Sequence, residues 1–510
     1  MSRFTIDGRT LARNGLLNLA GQGLPFLVGL ASVPAIVHGL GTERFGILGL
    51  MWAFFSAVSV FDLGLGRAVT KFVAEALGTG DPRRIPGIIW AAVAGQAALG
   101  TIIGGLLTAA APPLVGRFLN VVPDMREEAV LAFRVLALSL PVVLVSLSFQ
   151  GALEAAQRFG VLTGIKTLSG ASMFLVPLLG VFLGWDLPAI LGALLAVRTV
   201  VLTVLLFSCV RVFATLRGFG RVDRQSLRPL FGFGGWIAVS GLLALLLTSA
   251  DRFVIGNLIT MTAVAHYTLP KELISRVGIV TTSLAVVLFP AFSTLGGARD
   301  HGRLRLLFSR ATKYMILTIG PLYGLVAVFA PDLFTVWLGR ALAAQSAPVL
   351  RILAAGAALQ LVTTAAYVLI QGLGRSDLTA KFHLLEAPLY LIAMWWLVQL
   401  WGIRGAAWAW SGRVALDVFL LLIATRRMEV WTWPAAGRAA RSVALPPAVL
   451  CALLVLCYSL PVALVLKAAL TGALFLLFGW WVWTRSLEDD ERRWMYEFVS
   501  GWRAAVAKPQ

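Results

Sequence analysis

Residues 85–111 read IPGIIWAAVAGQAALGTIIGGLLTAAA, 27 consecutive positions without a single Asp, Glu, Lys or Arg. A helix needs about 20 mostly apolar residues to cross a hydrocarbon core about 30 Å thick, so this stretch is long enough to span a bilayer. Similar runs lie on both sides of it. Upstream spans are predicted over 14–37 and 45–77, and downstream over 129–153, 161–184 and 187–210. After a basic connector come 231–257, 263–295, 306–330, 347–373, 378–400 and 405–425, followed by a last pair over 442–459 and 462–484. About fourteen transmembrane helices are therefore expected. Proline and glycine inside these runs are no obstacle, because neighbouring helices can satisfy the backbone groups that a kink frees.

Composition leads to the same class. Hydrophobic residues make up 59% of the 510 positions and charged residues 13%, with mean hydropathy +0.86. An ordinary soluble domain is about 25% charged. The net charge of +19 would suggest nucleic acid in a soluble protein, but here the basic residues lie between apolar runs and report orientation instead. Nucleic acid is excluded as a partner. Cys209, Cys451 and Cys457 all fall inside apolar runs and are odd in number, which argues against a disulfide framework or a metal site. Neither a metal nor a cofactor is expected. Arg3, Arg9 and Arg13 precede a run that continues to Val37 with no small-residue cleavage site, so this run is read as an uncleaved first span.

The N-terminal tail and alternate connectors hold about 30 of the 43 Lys and Arg, while the intervening connectors hold about seven. Cytoplasmic N- and C-termini follow, with Arg211 to Arg228 inside and Arg44, Arg117 and Arg340 outside. Past the last span, Arg492, Arg493 and Arg503 alternate with Trp494, Phe498 and Trp502, a spacing suited to an amphipathic helix on an anionic leaflet. A solvated tail is the competing reading.

A shift of about 217 residues lays span one on span seven, Gly46 on Ala263 and Gln157-Arg158 on Gly374-Arg375. Six spans per half make the repeats parallel, related by a pseudo-twofold axis along the membrane normal. The expected organisation is an N-terminal lobe over 1–210, a cytoplasmic connector over 211–230, a C-terminal lobe over 231–427, an appended helix pair over 428–485 and a tail over 486–510.

Two motifs carry a resemblance, Leu40-Gly41-Thr42-Glu43-Arg44-Phe45-Gly46 and Phe61-Asp62-Leu63-Gly64-Leu65-Gly66-Arg67, supported by Gln157-Arg158-Phe159 and Asp251-Arg252. The chain resembles the polysaccharide-transport branch, the Wzx-type oligosaccharide flippases, of the multidrug/oligosaccharidyl-lipid/polysaccharide exporter superfamily. That resemblance implies an all-α integral membrane fold with two six-helix lobes and two C-terminal helices, in the bacterial inner membrane. It also implies a flippase without enzymatic activity. The implied substrate is an undecaprenyl-diphosphate-linked oligosaccharide for O-antigen, capsule or exopolysaccharide, with glycan polymerase and glycosyltransferases as partners beside the membrane lipids. A multidrug antiporter of the same superfamily and a non-transporting scaffold of glycan assembly are the alternatives.

A charge at the centre of a membrane helix costs roughly 2.5 to 3.5 kcal/mol on insertion scales, so intramembrane charges are candidates for function. Arg67, Lys71, Arg198, Arg252, Lys271 and Arg276 are the candidates for binding a diphosphate headgroup, and Asp62, Asp251, Glu272 and Asp417 for coupling or ion pairing. Arg134 and Arg413 complete the set. The excess of cations suits an anionic substrate. Local pairing competes at three places, since Lys71 and Glu75, Glu272 and Arg276, and Arg413 and Asp417 are each four residues apart on a helix. Arg198 has no such neighbour.

Overall fold

The computed structural model describes residues 8–493 except 62–64, 79–80, 157, 218–246, 279–280, 282–283, 286–287, 290, 294, 296–299 and 429–432. Asp62, the connector beyond Arg217 and the tail from Trp494 onward lie outside the described residues, as does the side chain of Arg67.

All regular structure among the described residues is helical. The helices are α1 (Gly8–Phe61), α2 (Leu65–Gly78), α3 (Ile85–Pro113), α4 (Arg126–Ala155), α5 (Phe159–Phe182), α6 (Leu187–Val212) and α7 (247–258). They continue as α8 (Met261–Val277), α9 (His301–Val328), α10 (Ala330–Leu338), α11 (Arg340–Gly372), α12 (Ser376–Arg427), α13 (Trp433–Ser459) and α14 (Leu464–Trp481). Nine helices among the described residues are long and apolar enough to cross a membrane, and 443–459 is a shorter apolar helix. The chain is a multi-pass membrane protein.

Two of these helices are too long for one crossing. At about 1.5 Å per residue, the 54 residues of α1 and the 52 of α12 would each far exceed the hydrocarbon thickness. Each is broken at one glycine: Gly41 at φ 80° and ψ 162°, and Gly402 at φ 60° and ψ −139°. Only a residue without a Cβ adopts such angles at low cost, so these two positions turn the chain back. They fall in the connectors expected between spans one and two and between spans eleven and twelve. Elsewhere the expected boundaries shift. The connector before span ten is itself helical, as α10 and the start of α11.

The chain forms two compact units, Met1–Leu269 with His383–Ala409, and Pro270–Phe382 with Trp410–Gln510. In the first unit, α3 and α4 approach closely because Gly100 and Gly104 face Pro141 and Ala137. Small residues allow such contact where no hydrophobic force drives helices together in lipid. A core of Val69, Val73, Ile89, Phe149, Leu205 and Cys209 unites α2, α3, α4 and α6. Buried Gln96 of α3 accepts from the backbone and hydroxyl of Ser148 on α4. Arg44 makes a two-pronged pair with Glu128 at 2.9–3.1 Å, and Glu128 also caps α6 through the Leu187 N–H at 3.0 Å.

In the second unit α9 packs on α11 and α13, and α13 on α14. Val328, Leu450 and Leu454 form the buried centre beside Phe478, and Phe329 meets Tyr458 edge to face at 5.6 Å. The other end of α9 is tied to the chain beyond α14. Glu491 accepts from Lys313 at 2.6 Å and from the Tyr314 hydroxyl at 2.8 Å, with Arg310 at 3.3 Å.

Candidate functional site

In the first unit, α7 places Asp251 and Arg252 side by side in the protein interior, where Asp251 is 0% exposed and Arg252 7%. A charge in such a place needs partners. Asp251 accepts the Tyr267 hydroxyl of α8 at 2.8 Å and the Arg252 backbone N–H at 2.9 Å. Arg252 extends to α1 and donates to the Gly49 carbonyl at 3.2 Å. Gly49 also lets α8 come close to α1, since a Cβ there would meet the Thr268 hydroxyl at 3.0 Å. Tyr267 is fully buried, and α12 contributes buried Glu386 and Tyr390, one turn apart, to the same unit.

Arg198 of α6 is held differently. Its guanidinium carbon sits 3.8 Å from the centroid of the Phe55 ring on α1, a cation–π contact. No carboxylate among the described residues forms a salt bridge with it. Lys71 is exposed on α2, with its ammonium 5.3 Å from the Phe72 ring.

In the second unit, the Lys271 ammonium lies 4.2 Å from the Trp410 ring centroid of α12. Half-buried Arg413 follows three residues on, and half-buried Asp417 one turn further. Glu272 and Arg276 pair with each other at 3.4 Å. Arg134 is exposed on α4. Among the described residues no group of three His, Cys, Asp or Glu side chains is placed to hold a metal ion.

The structure thus joins Asp251 and Arg252 to Tyr267 and α1, Arg198 to Phe55, and Lys271 to Trp410. Phe55, Tyr267, Trp410, Glu386 and Tyr390 are additions to the residues read from sequence. Glu386 is a carboxylate inside the predicted 378–400 span, so the criterion of intramembrane charge was enough to find it. The aromatic residues carried no comparable signal in so apolar a chain.

These observations define a helical, polytopic membrane protein with charges engaged inside its membrane segments. Solved structures agree on that fold. A lipid II flippase, MurJ, in an inward closed conformation aligns with TM-score 0.73 at 12% identity over 91% of this chain and 98% of its own. An inward-facing multidrug resistance transporter of the MATE family and MOP superfamily aligns with TM-score 0.68 at 16% identity, covering 82% and 98%. The family follows from sequence: residues 40–346, more than half of the chain, match the polysaccharide biosynthesis protein family, and the chain belongs to it. It is 26% identical to a Shigella flexneri protein named as an O-antigen transporter, over 81% of this chain and 97% of that one. It is also 24% identical to a Haloferax volcanii protein named as a low-salt glycan biosynthesis flippase, Agl15, over 79% and 80%.

Proposed function

We propose that this protein flips a lipid-linked oligosaccharide, with undecaprenyl diphosphate as carrier, from the cytoplasmic to the periplasmic leaflet of the inner membrane for polysaccharide export. The two six-helix halves would rock to alternate access, with both termini cytoplasmic. Family membership and the relatives named for O-antigen transport and glycan flipping support the substrate class. Polymerase and glycosyltransferases are the proposed partners downstream and upstream.

Arg198 carries the reading. A diphosphate cannot cross hydrocarbon without polar partners, and a guanidinium held on a ring face keeps its charge and its hydrogen-bond donors for an anion. Arg252, Lys271 and Arg276, with Arg67 and Lys71 toward the cytoplasmic end, are the proposed further headgroup contacts; Asp62, Asp251, Glu272 and Asp417 are proposed for coupling or pairing. An organic-cation antiporter would call for the opposite bias of charge.

The test is glycan export by Arg198→Lys and Arg198→Ala at matched membrane abundance. Both should lose at least about tenfold in rate, because lysine keeps the charge but not the planar fork that grips a diphosphate through two parallel bonds. Full export by Arg198→Ala would refute the assignment.

A further inference from the structure

The chain leaves α14 through a bend that the second unit holds in place. After a wider helical turn over Val482–Ser486, Leu487 is extended at φ −91° and ψ 135°, so the helical turn over 489–493 does not continue the axis of α14. Its direction is tied at two points. Buried Glu491 accepts from Lys313 and Tyr314 of α9, and Lys313 also donates to the Ser486 carbonyl at 3.1 Å. Arg492 donates to the Thr484 carbonyl at 2.7 Å and to Asp489 at 3.3 Å. Leu487 is buried like Glu491, whereas Glu488, Asp489, Asp490 and Arg493 are exposed. Ser486 also ends the apolar span Val465–Ser486, which puts this turn at the level of the lipid headgroups.

Glu491 thus gives the turn an inner side. Residues 494–506 lie outside the described residues, but their sequence keeps the helical period and holds no proline before Pro509. At about 100° per residue, Trp494, Met495, Phe498, Trp502 and Val506 fall within about 60° of the Glu491 direction, while Arg493, Glu497, Ser500 and Arg503 fall more than about 100° from it. One face is apolar and the other polar. Over 492–508 the cations are Arg492, Arg493, Arg503 and Lys508, against Glu497 as the single acid. Tryptophan and phenylalanine on one face with arginine on the other suit an anionic bilayer surface, where rings enter the acyl boundary and guanidinium groups stay with phosphates.

We infer that the segment from Glu488 to Val506 is a membrane-surface helix that binds the anionic leaflet at this end of α9, in a register set by Glu491, with Trp494, Phe498 and Trp502 toward the acyl chains and Arg493 and Arg503 toward lipid phosphates. Such an anchor is independent of what the protein transports.

The test places one fluorophore on Phe498→Cys, Ser500→Cys or Trp502→Cys in full-length protein whose three native cysteines are replaced by alanine, in phosphatidylglycerol-containing vesicles. Probes at 498 and 502 should be quenched by a nitroxide on the acyl chains, and the probe at 500 by aqueous iodide. Iodide quenching at all three positions would leave the segment in water. Protection of 498 and 502 from both quenchers would place them against protein. Either result overturns the inference. Arg493→Gln and Arg503→Gln should each raise the ratio of iodide to nitroxide quenching at 502 roughly fivefold, and equal nitroxide quenching in phosphatidylcholine vesicles would overturn the anionic partner. Glu491→Gln should erase the contrast between 500 and 502; a preserved contrast would remove Glu491 as the source of the register. Should the cysteine-free parent not fold, trypsin cleavage after Arg503 in the unmodified protein decides. Cleavage should be slower in phosphatidylglycerol than in phosphatidylcholine vesicles, and equal rates overturn the inference.

Discussion

A carboxylate removed from water is stabilised only when its oxygens are fully engaged. Glu491, 2% exposed, meets that condition through Lys313, Tyr314 and the Glu488 backbone N–H. The last contact is half of a capping box, which starts the helical turn over 489–493. Burial alone would raise the Glu491 carboxyl, but the Lys313, Glu488 and Tyr314 hydrogen bonds together hold it below the ordinary glutamate value. Because the folded value is lowered, its contribution is complete above the ordinary glutamate range and is lost as pH falls through the lowered folded value. Glu491→Gln should free the segment at neutral pH as acid does in the native protein. Hydrogen bonds to a charged group contribute about 1.5–3 kcal/mol, so local opening should rise roughly ten- to hundredfold. Trypsin cleavage after Arg492 and Arg493 in inverted vesicles measures it, and equal cleavage rates in the two proteins would contradict the assignment. At this scale sequence was least informative. Glu491 and Lys313 are 178 residues apart, and no periodicity links them. Glu272 and Arg276 could be paired from their spacing alone because both lie on one helix face.

Elements are where one residue type reorganises a long stretch of chain. Gly402 turns α12 back on itself at φ 60° and ψ −139°, and a Cβ there would meet nothing nearer than Ile259 Cδ1 at 3.9 Å. Space is available, so the penalty of Gly402→Ala is purely conformational, about 1–3 kcal/mol. The expected outcome is a lower midpoint of thermal unfolding in detergent with the contacts of neighbouring helices kept; an unchanged midpoint would show that the turn accommodates a side chain. Gly100 is the opposite case. Its backbone conformation is ordinary for a helix, but a Cβ would come 2.6 Å from Pro141 Cα, so the constraint comes from α4. The expected spans located both halves of α12, since hydropathy falls between 400 and 405. It did not reveal that α10 and the start of α11 are helical, because a short amphipathic connector lacks the apolar length by which spans are recognised.

For the whole molecule, the distribution of arginine predicts orientation. Lys and Arg resist translocation during insertion, so connectors rich in them stay in the cytoplasm. Reporter fusions at Gly218 and Gln510 should show cytoplasmic activity only; periplasmic activity at either would invert the topology. Class, approximate spans and the basic excess within the membrane were determined by sequence alone, since each is a sum over neighbouring residues and each span must satisfy its own backbone hydrogen bonds in lipid. The partners of the intramembrane charges were decided only by tertiary structure. Asp251 meets Tyr267 across a helical hairpin, Arg252 reaches Gly49 across 203 residues, and Glu43 caps Thr262 across 219. Those contacts depend on which helix faces pack together and on where glycine lets backbones approach, and hydropathy summed along the chain carries neither.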